Sequence, residues 1–148
     1  MRMKAFPHPD PNSKTLLLVE DDESTNEVLR KLFLSQGFKV ISAADGIQAT
    51  VLLRAARPDI AIIDFEMPGG TGAILYDRIR KLVGSIPVVF ISGSATAQNT
   101  LKDILARDPA TRFLSKPVKI SELLPLVGEL LYGASPDAPG SQYPHEID

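Results

Sequence analysis

Apolar and polar positions along the chain fall into a strict alternation of two textures. Short apolar runs at residues 15–19, 38–42, 60–63, 86–91 and 112–115 read as strands. The run at 60–63, with three isoleucines, has no polar interruption, as expected of a strand covered on both faces of a parallel sheet. Between these runs, apolar residues recur at helical spacing. The first helix carries Val28, Leu29, Leu32 and Phe33 on one face and ends near Gly37, a C-cap residue. The second spans 45–57, with Ile47, Val51, Leu52 and Ala55 inward and Pro58 marking its end. The third carries Ile74, Leu75, Ile79 and Leu82; the fourth spans 98–106 with Leu101, Ile104 and Leu105; the fifth spans 120–131. Pro125 lies inside the last helix and predicts a late start or a kink there.

Strand and helix alternating five times predict an α/β fold, a parallel sheet with helices on both faces. Right-handed crossovers leave few topologies, and the flavodoxin-like order 2-1-3-4-5 in a three-layer (βα)5 sandwich is the one expected. Residues 1–14 and 133–148 hold six of the twelve prolines and show no periodicity, so a flexible leader and tail are expected around a domain at 15–132.

Composition narrows the chemistry. The chain has 148 residues, no cysteine and two histidines, His8 and His145, both in the polar ends. Thiolate metal sites, disulfides and histidine-centred catalysis are therefore not expected. A net charge of −2 argues against a nucleic-acid or anionic-membrane surface. No apolar run reaches membrane-spanning or signal-peptide length, and a cytoplasmic location is expected.

In the expected topology the carboxyl ends of the strands collect at one edge, where open α/β sheets bind ligands. Strand one delivers Glu20 and Asp21, strand three Asp64, strand four Ser92 and strand five Lys116. After Asp64, Met67-Pro68-Gly69-Gly70 forces a loop. Taken singly, Asp64 also reads as a turn cap, Ser92 as a turn residue and Lys116 as a surface lysine. Converging carboxylates, however, repel by ~4 kcal/mol per close pair at an intermediate dielectric and call for a cation. Hard oxygen ligands favour Mg²⁺. A carboxylate nucleophile, a divalent ion, a lysine and a hydroxyl together suit phosphoryl transfer. Asp22 and Glu23 read as first-turn charges of the following helix.

The segments Leu17-Leu18-Val19-Glu20-Asp21-Asp22, Asp64-Phe65-Glu66-Met67-Pro68-Gly69-Gly70-Thr71-Gly72, Pro87-Val88-Val89-Phe90-Ile91-Ser92-Gly93 and Phe113-Leu114-Ser115-Lys116-Pro117 occur in this order. Over residues 15–131 the chain resembles the receiver domains of two-component response regulators, the CheY-like superfamily. The resemblance implies that Asp64 accepts a phosphoryl group from a sensor histidine kinase or a histidine phosphotransfer protein. It implies Mg²⁺ held by Glu20, Asp21, Asp64 and the backbone carbonyl of Glu66, with Ser92 and Lys116 on the phosphoryl oxygens and a cis peptide before Pro117. It implies a signalling switch rather than an enzyme, acting on a downstream protein either as a stand-alone domain or as part of a longer regulator or hybrid kinase. Phe113 stands where such domains carry a switch aromatic; a buried core role is the other reading.

Three departures stand out. Glu66 puts an acid two residues past Asp64, where it could orient water, reach the metal region or repel the phosphoryl group. Gly93 replaces the commoner Ala. Residues 108–111 read as an insertion on a surface where such domains dimerise or meet targets, which keeps a homodimer among the expected partners. Two other classes fail on residues: Glu20-Asp21-Asp22 would repel the phosphate of a flavodoxin cofactor, and a haloacid-dehalogenase phosphatase needs Asp at position 66 and a cap domain. A receiver-like interaction module that is never phosphorylated remains the alternative.

Overall fold

The computed structural model describes residues 13–67 and 72–133; the expected 68–70 loop and nearly all of the expected leader and tail lie outside them. The described chain runs β1 (Thr15–Val19), α1 (Glu23–Ser35), β2 (Lys39–Ala43), α2 (Gly46–Ala55), β3 (Ile60–Asp64), α3 (Gly72–Leu82), β4 (Val88–Ser92), α4 (Ala95–Thr100), α5 (Lys102–Arg107), β5 (Thr111–Ser115) and α6 (Ile120–Tyr132). The strands form one sheet, ordered β2-β1-β3-β4-β5, with every neighbouring pair parallel. This is the topology expected from the sequence.

Because strand side chains alternate between faces, the continuous apolar runs feed two cores. Leu16, Leu18, Ile60, Ile62, Val89 and Ile91 join Leu29 and Phe33 of α1 and Leu123 and Val127 of α6. Leu17, Val19, Ala61, Ile63, Val88 and Phe90 join Leu53 of α2 and Leu75, Tyr76 and Ile79 of α3 on the opposite side. All five residues of β3 and of β4 are buried, which is why neither strand shows polar alternation.

The helix ends follow local chemistry. Asp22 caps α1 by accepting from the Thr25 N–H at 2.9 Å, and Asp45 caps α2 by accepting from Gln48 N–H at 2.7 Å. Gly37, with φ of 95°, lets the chain leave α1 for β2.

Four expectations are corrected. In α2 the sheet-facing residues are Gly46, Ala49 and Leu53, while Ile47 and Val51 are 64% and 63% exposed. The helix turns a stripe of mostly small residues toward the core, leaving its larger branched side chains outside. On α1, Val28 is likewise exposed, as is Ile74 on α3. The fourth predicted helix begins earlier, at Ala95 after the Ser94 cap, and divides at Leu101, which stays fully buried between two six-residue segments. Of the late start or kink expected at Pro125, the late start is ruled out, because α6 runs from Ile120 through Pro125 to Tyr132. Pro125 withholds one donor from the carbonyl of Ser121, but Ser121 is exposed and water can take its place.

Candidate functional site

The carboxyl ends of β1, β3, β4 and β5 bring the expected residues to one edge. Asp64 is the last residue of β3, buried, and in register with Ile91 of β4; Ser92 ends β4 in register with Ser115, one residue before Lys116. The Lys116–Pro117 peptide bond is cis. The Lys116 ammonium donates to Asp64 Oδ2 at 2.9 Å and lies 3.9 Å from Glu20 Oε1. The second oxygen of Asp64, Oδ1, accepts from the Glu66 backbone N–H at 3.0 Å. Glu20, Asp21 and Asp64 can each offer a carboxylate oxygen so that all three lie within 4.8 Å of one another.

The loop after β1 is organised around Glu20. Its Oε2 accepts from the Asp22 N–H at 3.0 Å, its backbone N–H donates to Ala43 O at 3.0 Å, and its carbonyl accepts from the Asn26 side-chain amide at 3.0 Å. Burial pushes the Glu20 carboxyl up to about 7, the neighbouring Asp64 charge adding to the rise while the Asp22 N–H and Lys116 oppose it. Lys116 is held above its ordinary value: its partial burial works against the charged form, but the bond to Asp64 and the charges of Asp64, Glu20 and Glu66 outweigh it.

Three carboxylates and one ammonium leave a negative balance in a largely buried pocket. The donors are all hard oxygens, two of them from nearly buried side chains. This set fits a small divalent cation such as Mg²⁺ and offers nothing to a softer metal. Asp22 belongs to the helix cap, as its position before α1 suggested.

Glu66 is where sequence reasoning stopped short. Its side chain accepts a hydrogen bond from the Ser92 hydroxyl. That hydroxyl in turn accepts from the Ser94 N–H at 2.9 Å, and the Lys116 N–H donates to the Ser92 carbonyl at 2.9 Å. Gly93 is not sterically required, since a Cβ there would meet Lys116 Cβ at 3.6 Å, an ordinary contact. Phe113 is half-buried against the second core. The 108–111 segment carries a network the sequence did not signal. Asp108 Oδ2 takes hydrogen bonds from Tyr76 Oη at 2.5 Å and Arg80 Nη2 at 2.8 Å, and Arg80 Nη1 donates to the carbonyls of Gly84 and Ile86, each at 2.8 Å.

Comparison with known proteins matches this arrangement to one family. Residues 16–127 fit the response regulator receiver domain. The chain belongs to that family. The receiver is 30% identical over 122 residues to response regulator MprA of a Mycobacterium species, covering 82% of this chain and 52% of that protein. It is 34% identical over 120 residues to the regulator of RpoS of Escherichia coli, covering 80% of this chain and 35% of that protein. It thus spans about half the length, or less, of these relatives. The solved receiver domain of hybrid histidine kinase CckA is 32% identical, with a TM-score of 0.66, covering 79% of this chain and 98% of that one. Receivers are signalling domains of two-component systems that work with histidine kinases and downstream targets, and they typically bind Mg²⁺ at an acidic pocket. Among the described residues no helix is long and apolar enough to cross a membrane.

Proposed function

We propose that this receiver accepts a phosphoryl group on Asp64 from a phosphohistidine of a sensor histidine kinase or histidine phosphotransfer protein, and thereby switches its contacts with a downstream protein. The observation that carries the reading is the setting of Asp64. It is a buried carboxylate at a strand end, with one oxygen on Lys116 and the other on a backbone N–H, facing two further carboxylates.

In the step itself an Asp64 oxygen attacks phosphorus. The P–N bond to the donor imidazole, which is protonated on its other ring nitrogen, breaks; the electron pair returns to the ring nitrogen that held phosphorus, and the products are an aspartyl phosphate and neutral histidine. Lys116 neutralises charge on the acceptor and on the phosphoryl oxygens, and the Ser92 hydroxyl donates to one of those oxygens. Glu20, Asp21, Asp64 and the Glu66 carbonyl would hold Mg²⁺, which when bound supplies the positive charge that this pocket lacks. Beside the pocket lies a cleft of about 640 Å³ whose apolar lining includes Val28, Leu29, Pro117, Val118 and Ile120. We assign it to the donor protein, which must bring its histidine to Asp64; exposed Val28 has its use there. Turnover is confined to the domain's own phosphorylation and dephosphorylation, and the setting is the cytoplasm.

The full chain, incubated with acetyl phosphate and Mg²⁺ and followed by intact mass, should gain one phosphoryl group. Asp64→Asn or excess chelator should abolish the gain. A folded wild-type chain that gains none would favour a receiver-like interaction module that never carries phosphate.

A further inference from the structure

We propose that the Glu66 side chain is a latch on Ser92, occupying the hydroxyl proton that an incoming phosphoryl group must claim. The inference rests on the phosphoacceptor reading and adds a regulatory contact to it.

Its basis is a count of donors. A serine hydroxyl has one proton to give. Ser92 is 1% exposed, and its single proton is committed to the Glu66 carboxylate while its oxygen accepts from the Ser94 N–H at 2.9 Å. A phosphoryl oxygen arriving on Asp64 is acceptor-only, so it can bond Ser92 only after Glu66 has let go. Glu66 is well placed to feel that arrival, because its own N–H is bonded to Asp64 Oδ1 at 3.0 Å. One residue therefore has its backbone on the acceptor carboxylate and its side chain on the hydroxyl that recognises the product. Release is inexpensive, since Glu66 is exposed and its carboxylate needs only to swing into water. Competition for Ser92 is a fourth role, beside orienting water, reaching the metal region and repelling the phosphoryl group, and it is the one this geometry favours.

Reach separates the latch from simple charge repulsion. Glu66→Asp keeps the charge but shortens the arm by one methylene, whereas Glu66→Ala removes both. The assay is titration of the full chain with beryllium fluoride, a tetrahedral phosphoryl mimic, in excess Mg²⁺. With Ser92 buried and Glu66 exposed, the charge-assisted hydrogen bond between them corresponds to a change of up to about tenfold. Both Glu66→Asp and Glu66→Ala should therefore tighten binding by about that factor, and the gain should vanish when Ser92→Ala is added. The proposal is overturned if Glu66→Asp binds like wild type while Glu66→Ala gains, or if the gain survives Ser92→Ala. A second measurement needs no ligand: the amide resonances of Ser92, Gly93 and Ser94 should shift in Glu66→Ala, and unchanged resonances would overturn the latch directly. If those resonances shift but no folded variant binds beryllium fluoride, the phosphoacceptor reading fails. The contact is then a structural hydrogen bond with nothing to exclude, and the latch fails with it.

Discussion

Replacing Lys116 by methionine keeps the length of the side chain and removes the only ammonium or guanidinium among the described residues that is paired with Asp64 or Glu20. At 2.9 Å from Asp64 Oδ2, two unit charges attract by roughly 6 kcal/mol at an effective dielectric of about 20, but by only about 1.4 kcal/mol at that of water. The lysine side chain is 35% exposed while the carboxylates are 3% and 4% exposed, so the pair sits between those limits. Ordering a long side chain takes back up to about 2 kcal/mol. The expected net loss is therefore about 1–3 kcal/mol, below the ~3–5 kcal/mol typical of breaking a fully buried pair. Urea unfolding of the full chain, with chelator present and at low salt, should show the midpoint falling by roughly 0.5–1.5 M for a slope near 2 kcal/mol/M. Added salt should narrow the difference by screening, and Mg²⁺ should narrow it further if the acidic cluster holds the ion. A midpoint that stays put or rises at constant slope would refute the claim that Lys116 is the counter-charge of this pocket.

Other outcomes follow from the same geometry. Burial works to raise the Asp108 carboxyl, but the bonds from Tyr76, Arg80 and the Ala110 N–H outweigh it and hold its pKa below the ordinary value. A depressed carboxylate contributes stability that is present above its unfolded-state value of about 3.9 and is lost as pH falls through the folded value. Urea midpoints measured from pH 5 downward should therefore show wild type and Asp108→Asn well separated at the start and converging below about pH 4. Gly72→Ala would place a Cβ 2.9 Å from Phe65 Cδ1 and 3.3 Å from Phe65 Cα. Thermal unfolding should show a loss of about 1–2 kcal/mol, with slower phosphoryl uptake because Phe65 adjoins Asp64. On α2, Ile47→Gln and Val51→Gln should change stability by no more than about 0.5 kcal/mol, whereas Leu53→Ala should cost about 2–5 kcal/mol in the same urea assay.

The last pair of variants marks where local pattern ceases to decide. Residues 46–55 carry apolar side chains on more than one side of the helix, so periodicity allowed Ile47 and Val51 as the inner face. Their outward position reflects the choice of Gly46, Ala49 and Leu53 to lie on the sheet, in a core that includes Ala43 and Ala61. The division of the fourth helix at Leu101 is similar, since its apolar face reads as continuous. Strands were easier. Ile60 to Ile63 and Val88 to Ile91 are unbroken apolar runs because both of their faces are covered, and their brevity excludes helices of ordinary length.

The order of the five strands, the parallel sheet and the convergence of Glu20, Asp21, Asp64, Ser92 and Lys116 on one edge were all legible along the chain. These follow from the two backbone periodicities and from the few ways that right-handed crossovers can connect five strands. Tertiary structure alone decided which side of α2 is buried, that Asp108 is clasped by Tyr76 and Arg80, and that the Glu66 carboxylate holds the Ser92 hydroxyl. The reason is physical: hydrogen bonds between residues 26 or more positions apart depend on where side chains end in space, and no local pattern records that distance.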